Sequence, residues 1–375
     1  MPNNQHYTQI SRKNPLRLNQ WDLIILVLFF GLMAAIVLGT QQMARPYQIG
    51  ETIAISLDPK MLPAYSLYTV MRMAIALCFS LLFTFTVGTL AAKSKRAERF
   101  ILPFIDIMQS VPILGFLSIS ILVFIYLFPG SRLGPECASI FVIFTSQVWN
   151  MVLSFYQSLK TLPKDLKEAA TMFHLGGWQK FWRLEVPYAI PSLLWNTMMS
   201  LSASWFFVVA SEAISVANQN ITLPGIGSYI ITAQDQANYT AIGYVIIAML
   251  VVIVLYDQLI FRPLLVWSEK FKPDPNEEVE SAGSWFLDVL QQAHISKLIN
   301  QLIHRFKELA ITPRKAPLPR PQFSPKVQRA LSLTANTFWH SFLLIGIVGS
   351  TFLVVRYIYR DITLAETGHV FYLGL

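Results

Sequence analysis

Seven stretches of the chain are long and apolar enough to cross a bilayer, and this limits the fold more than any motif does. They fall at about 21–40, 66–92, 101–128, 136–158, 190–217, 241–266 and 337–359. A spanning helix needs roughly 20 mostly apolar residues, so the pattern predicts an all-α fold, a polytopic transmembrane helix bundle of about seven spans. Composition agrees. The chain is 54% hydrophobic and 13% charged, against roughly 25% charged residues in a soluble domain.

The basic residues alternate by side. One set of connections holds Arg12, Lys13 and Arg17, then Lys93, Lys95, Arg96 and Arg99, then Lys160, Lys164, Lys167, Lys180 and Arg183. The opposite set holds Arg45, Lys60 and Arg132, and between positions 218 and 239 it holds none. Lysine and arginine collect on the cytoplasmic side, so the N-terminus is expected in the cytoplasm and the net charge of +8 reports topology. Nucleic acid is not an expected partner. The first apolar run lacks a small-x-small cleavage site, and an uncleaved anchor is expected there.

This gives an organisation by segment. Residues 1–20 form a cytoplasmic tail. Residues 21–266 form a membrane domain with a cytoplasmic loop at 160–190. Residues 267–336 form a cytoplasmic linker in which Ile295, Leu298, Ile299, Leu302, Phe306 and Leu309 repeat at helical spacing, as in an amphipathic helix. A proline-rich spacer follows. Residues 337–375 resemble the chain's own beginning and read as the start of an incomplete second membrane domain, as if a two-half protein were cut short.

The loop carries the most pattern: "KEAATMFHLGGWQKFWRLEVPYAIP", residues 167–191. Glu168 is expected near a helix start, where the helix dipole favours a carboxylate. Ala169 and Ala170 are small enough for a partner to approach the backbone. Met172, Phe173 and Leu175 give an apolar side, and Gly176 and Gly177 are expected to end the helix. Trp178, Phe181, Trp182 and Leu184 begin a second helix. Pro187 is expected to close the segment and Pro191 to lie in the first turn of the next span. A helix-turn-helix tethered at both ends has the shape of a docking lever, although an ordinary amphipathic connection also fits the pattern.

This stretch resembles the cytoplasmic EAA loop of ABC importer permeases, in which Glu-Ala-Ala is followed by a glycine six residues after the glutamate, then by phenylalanine and two prolines. Glu168, Ala169, Ala170, Phe181, Pro187 and Pro191 stand at the matching spacings. His174 stands where the family has glycine. "TVMRMAIALCFSLLFTFTVGTLAAKS", "LPFIDIMQSVPILGF" and "SEAISVANQNITLPGIGSYI" extend the likeness over about 66–266, nearest to the nitrate, sulfonate and taurine branch, some of whose members are fused double permeases. The resemblance implies a type I ABC importer permease fold in the bacterial cytoplasmic (inner) membrane. It implies a coupling helix (Glu168, Ala169, Ala170, His174, Leu175, Gly176, Gly177) that docks on a cytoplasmic ABC ATPase dimer, with Phe181, Pro187 and Pro191 supporting the loop. Other implied partners are a periplasmic or lipid-anchored substrate-binding protein and a second permease half or copy. The implied cargo is a small anion.

Charges within spans are functional candidates by default. Arg72 either snorkels to the outer interface or lines the pathway and attracts an anion. Glu212 is expected to make a structural hydrogen bond or gate the pathway. Asp106 and Asp257 are expected at the interfaces. Pro103 and Pro112 are expected to kink the third span, and "LPGIGSYI" reads as an irregular outer segment. Cys78 and Cys137 are expected as buried, inert thiols. The six histidines are scattered and there is no HExxH, so no metal site and no membrane enzyme is indicated. No phosphate-binding G-x-x-x-x-G-K-[ST] loop is present either. ATP would therefore be used by a separate subunit, with no cofactor held by this chain. The alternative is a secondary transporter or channel working without an ATPase, which would place paired charges and broken helices near mid-membrane.

Overall fold

The computed structural model describes residues 53–216 and 219–271, with isolated positions at 39, 46, 341, 348 and 349. The chain divides into two compact units, Met1–Pro313 and Arg314–Leu375, and the described core belongs to the first. The expected first and last spans, the linker helix and the second membrane domain fall outside the described residues.

Four helices among the described residues have the length and hydropathy of spans: Pro59–Lys93, Leu133–Thr161, Gly177–Glu212 and Tyr239–Phe271. They correspond to four of the expected runs. The first comprises α1 (Leu62–Phe83), a π turn at Thr84–Gly88, and α2 (Thr89–Lys93). Extended backbone at Ser94 then starts α3 (Lys95–Ser110), whose N-terminus is capped by the Ser94 hydroxyl accepting from the Ala97 amide at 3.3 Å.

The expected span at 101–128 is two helices. After α3, Val111 is extended and Pro112 begins α4 (Ile113–Leu127). A residue before proline is pushed out of the helical region, and proline suits a helix start. Pro112 therefore divides the run, whereas Pro103 is accommodated inside α3.

The central helix is α5 (Leu133–Thr161), the most buried of the four spans. Its most extensive contact is with α8 (Val186–Glu212). Hydroxyls and amides bridge this antiparallel pair in steps: Ser139 to Ser211 at 2.7 Å, Ser146 to Ser204 at 2.8 Å, Asn150 to Ser200 at 3.4 Å, and Ser154 to Ser192 at 2.9 Å. Small polar residues let two membrane helices approach closely where lipid removes the hydrophobic drive to associate. An apolar core of Met73, Ala76, Ile143, Leu201, Trp205, Val208, Tyr256 and Phe261 brings α1 and the last span onto this pair.

The loop between them folds as α6 (Lys164–Met172) and α7 (Gly177–Lys180), and α7 runs through a π turn at Phe181–Glu185 directly into α8. Pro187 therefore does not close the segment, and Pro191 lies inside the helix. The wider turn shifts the backbone register just before Pro187, which has no N–H to offer. The same device recurs in the last span, where a π turn at Asp257–Phe261 separates α10 (Tyr239–Tyr256) from α11 (Arg262–Ser268), with Pro263 as its second residue.

The span expected to reach 217 ends at Glu212. A short antiparallel hairpin follows, β1 (Ala213–Val216) and β2 (Gln219–Thr222), with Ala213 opposite Thr222. "LPGIGSYI" then enters α9 (Ile226–Asp235), and positions 223–229 are all buried. Residues 223–225 are irregular, as expected, and the whole segment is packed against the bundle. The thiols also differ from expectation. Both are free, but Cys78 is exposed and Cys137 half-buried. On α10, Ile247, Leu250, Val251 and Val254 face outward, a surface suited to hydrocarbon.

Candidate functional site

Two clusters stand out, one at each end of the α5–α8 pair. The first is the lever. α6 ends in two paired hydrogen bonds, His174 N–H to the Thr171 carbonyl and Leu175 N–H to the Ala170 carbonyl, both 3.0 Å. This is a Schellman turn, which needs left-handed backbone at the residue after the cap. His174 supplies it, at φ 49°. The residue that departs from the glycine of the EAA pattern thus adopts a conformation that glycine takes freely and that histidine tolerates better than most residues.

The glycines do a different job from the one expected. Gly176 is the N-cap of α7, with φ −63°, and its N–H is met by the Gln179 side chain at 3.2 Å. A Cβ on Gly177 would meet nothing within 4 Å. Neither glycine is demanded by packing among the described residues. Glu168 lies in mid-helix and not in the first turn, where Asp165 stands. Its side chain is exposed.

The lever is anchored on one side only. Ala170 is 4% exposed and Phe181 9% exposed. Phe181 packs edge-on to Phe85 and Phe155, with the Lys93 ammonium 5.7 Å from its ring centroid. Lys93 also pairs at 2.7 Å with Glu185, a buried carboxylate that sequence reasoning passed over. The far side is open: Met172 is 80% exposed, Phe173 78% and Trp178 61%. His174, Gly176 and Gly177 are exposed beside them, while Ala169 and Leu175 are half-buried. The arrangement presents backbone, small residues and three large apolar side chains on one projection.

The second cluster lies at the opposite end. Arg72 does not snorkel; it is 1% exposed. Its Nε and Nη2 donate in parallel to Glu136 at 2.6 and 2.8 Å, and its Nη1 donates to Glu212 at 2.7 Å and to the Pro224 carbonyl at 3.0 Å. Glu212 also accepts from the Thr69 hydroxyl at 2.6 Å and the Gly227 amide at 2.7 Å. Four segments, α1, α5, α8 and the start of α9, are thereby tied at one point. A Cβ on Gly225 would fall on the Glu212 carboxylate, and one on Gly227 would fall on the Val209 carbonyl. The glycines of "LPGIG" are what let the segment close over the cluster.

Arg72 and Glu212 are brought together, and Glu136 is the third member that sequence reasoning missed. The signal was available, because a buried arginine calls for carboxylates, and Glu136 opens one span and Glu212 closes another on its side. Every Arg72 nitrogen has a partner, and neither residue lines the two cavities described here. Asp106 is exposed, and Asp257 is half-buried 3.7 Å from Arg262, positions that suit interfaces.

An apolar cavity of about 550 Å³ opens between α1, α4 and α5, lined by Phe79, Phe83, Phe124, Phe141 and Phe144 among others. No group of acids, histidines and cysteines suited to a metal occurs among the described residues.

Residues 84–261 match the family described as binding-protein-dependent transport system inner membrane component. The chain is 24% identical over 181 residues to a nitrate import permease of Synechocystis, covering 48% of this chain and 60% of that protein. It is 27% identical over 205 residues to a trimethylamine N-oxide transport system permease of Pelagibacter ubique, covering 55% and 26%. It is 23% identical over 189 residues to a putative aliphatic sulfonates transport permease of Bacillus subtilis, covering 50% and 63%. The chain thus spans less than two thirds of the length of each of these relatives.

Proposed function

We propose, from the match of residues 84–261 to the family described as binding-protein-dependent transport system inner membrane component, that the chain is the permease subunit of an ATP-driven importer for a small anion. A separate ATPase dimer docks on the lever formed by α6 and α7, and a substrate-binding protein delivers the cargo from the opposite side. The relatives named for nitrate and aliphatic sulfonates support an anionic cargo. A second permease half or second copy completes the pathway. The lever faces the cytoplasm, in keeping with the basic residues around it, and the N-terminus lies on that same side.

The observation that carries the reading is the one-sided anchoring of the lever. Its inner face is fixed by Phe181 and by the Lys93–Glu185 pair, so a force on its outer face is transmitted to α5 and α8. Its outer face leaves Met172 and Phe173 exposed beside glycines that packing among the described residues does not require. Exposed apolar clusters of this kind mark protein contact sites. Glu168, with no ion pair among the described residues, is available to a basic group on the partner.

A photo-crosslinking amino acid at position 173 tests this in native membranes. The expected product is one crosslink to an ATPase subunit, absent when the same probe replaces the buried Ala189. Crosslinking only to lipid or to the chain itself overturns the proposal.

A further inference from the structure

Behind the lever lies a cavity of about 320 Å³ whose lining is basic. Ala92 and Lys93 come from α2, Leu159 and Lys160 from the end of α5, Leu162 from the link, Lys167 from α6, Lys180 from α7, and Glu185 from the π turn. Four lysines and one glutamate give the lining a formal charge of +3. Two of these ammoniums already have carboxylates, Lys93 with Glu185 and Lys160 with Glu98, each at 2.7 Å. The other two do not. Lys167 and Lys180 have no acidic partner among the described residues, and they stand on the two separate helices of the lever.

We propose that this cavity is a binding site for a phosphate-bearing anion, held between the lever lysines Lys167 and Lys180 and the body lysines Lys93 and Lys160. The physical case has three parts. Ammoniums gathered in a concave site repel one another, and a multivalent anion removes that repulsion. The walls concentrate the field in the concavity. Lysine, with three donors on a flexible stem, suits phosphate as a point charge. Glu185 and Glu98 offset Lys93 and Lys160, so the net attraction for an anion comes from Lys167 and Lys180.

Position gives the site a consequence. An anion there bridges α6 and α7 to α2 and α5, so its occupancy sets how firmly the lever is held against the spans. The phosphate could come from an acidic phospholipid headgroup at the membrane surface or from a soluble phosphate compound. The proposal rests on the cavity and its charges and does not require that an ATPase docks on the lever.

The test uses the purified full chain in phosphatidylcholine nanodiscs, in two arms. One adds phosphatidylglycerol and counts retained acidic lipid by native mass spectrometry. The other titrates pyrophosphate into neutral discs and follows its phosphorus NMR line width. Each arm compares the wild type with Lys167→Gln/Lys180→Gln, with Lys167→Arg/Lys180→Arg, and with Lys164→Gln, whose lysine lies on α6 outside the lining. A lysine near an anionic surface contributes about a factor of five. The double glutamine variant should therefore bind roughly 30-fold more weakly in the arm that supplies the ligand. The arginine and Lys164 variants should retain binding. If the double glutamine variant does not fold, each single variant carries the same comparison at about fivefold. Binding in the first arm alone identifies a lipid, and binding in the second a soluble phosphate. No binding in either arm, or an equal loss in Lys164→Gln, overturns the proposal. ATPase capture, measured separately, is unaffected by this outcome.

Discussion

The guanidinium of Arg72 and the carboxylate of Glu136 face each other across the α1–α5 interface, joined by two parallel hydrogen bonds of 2.6 and 2.8 Å. This fork-to-fork geometry is the strong form of the pair. Removing one partner from a buried pair leaves an uncompensated charge and costs about 3–5 kcal/mol. Arg72→Met strands two carboxylates and should be the most damaging change in the cluster. Glu212→Gln should be milder, because Arg72 keeps both bonds to Glu136. Thermal melting of detergent-purified variants checks the order; equal melting of Arg72→Met and wild type would contradict it.

Gly227 is constrained more tightly than Gly225. A Cβ on Gly227 meets the backbone carbonyl of Val209, whereas one on Gly225 meets the end of the Glu212 side chain, which can shift only by loosening its hydrogen bonds to Arg72, Thr69 and Gly227. Overpacking costs typically about 1–3 kcal/mol. Gly227→Ala should therefore lower the melting temperature more than Gly225→Ala does.

His174 holds left-handed backbone at φ 49°, which costs a residue with a side chain roughly 1–2 kcal/mol, and a β-branched one more. His174→Gly should leave the turn intact, and His174→Val should open it. Amide hydrogen exchange of Leu175, whose N–H bonds to Ala170, reads this directly. Val should speed it by roughly tenfold, about 1.4 kcal/mol of local stability. Unchanged exchange would mean that the Schellman turn is not what ends α6.

Along α5 and α8 the size of the rungs should matter more than their hydrogen bonds. Side-chain hydrogen bonds between membrane helices are worth about 0.6 kcal/mol on average. A double-mutant cycle on Ser146 and Ser204, each to alanine, should give coupling of about that size. Ser204→Leu at a fully buried position should cost about 1–3 kcal/mol, and a smaller loss than the alanine pair shows would reverse this view.

Glu98 accepts from the Lys160 ammonium at 2.7 Å and the Tyr156 hydroxyl at 2.6 Å. These bonds, that to Lys160 first, hold its carboxyl below the usual carboxylate range. A depressed folded-state value stabilises above the unfolded one and is lost as pH falls through the folded one. The pair should therefore be pH-independent between pH 8 and about 5 and fade only in more acid solution. Melting curves of wild type and Glu98→Gln should run parallel above about pH 5 and converge below it.

Much of this was legible in the sequence, for identifiable reasons. Hydropathy located the four described spans, because lipid-facing helices need apolar residues throughout. It placed most of their ends too far inward, and one too far outward, at 217 where the helix stops at Glu212. Helix continues through the charged starts at Pro59 and Gly177, where backbone hydrogen bonding carries on after hydropathy stops. Pro112 was noticed as a kink but acts as a boundary. Arg72 and Glu212 were both singled out, yet their pairing was not, because it depends on α1 and α8 meeting across α5. Glu136 lies near the start of its span and was not singled out at all. The lever was the most legible feature, since its spacing shows in one short stretch. Its turn was not: two adjacent glycines suggested the break, while the backbone places it at His174.

The most direct measurement is capture of an ATPase by the full chain purified from its native membranes in mild detergent, beside Glu168→Arg and Gly176→Leu/Gly177→Leu. Both changes alter the exposed face of the lever and leave the Phe181 anchor untouched. An ATPase subunit that accompanies the wild type and is lost from both variants is the predicted result. Absence of any ATPase from the wild type, or equal retention by all three chains, would contradict the account of the lever as the coupling element.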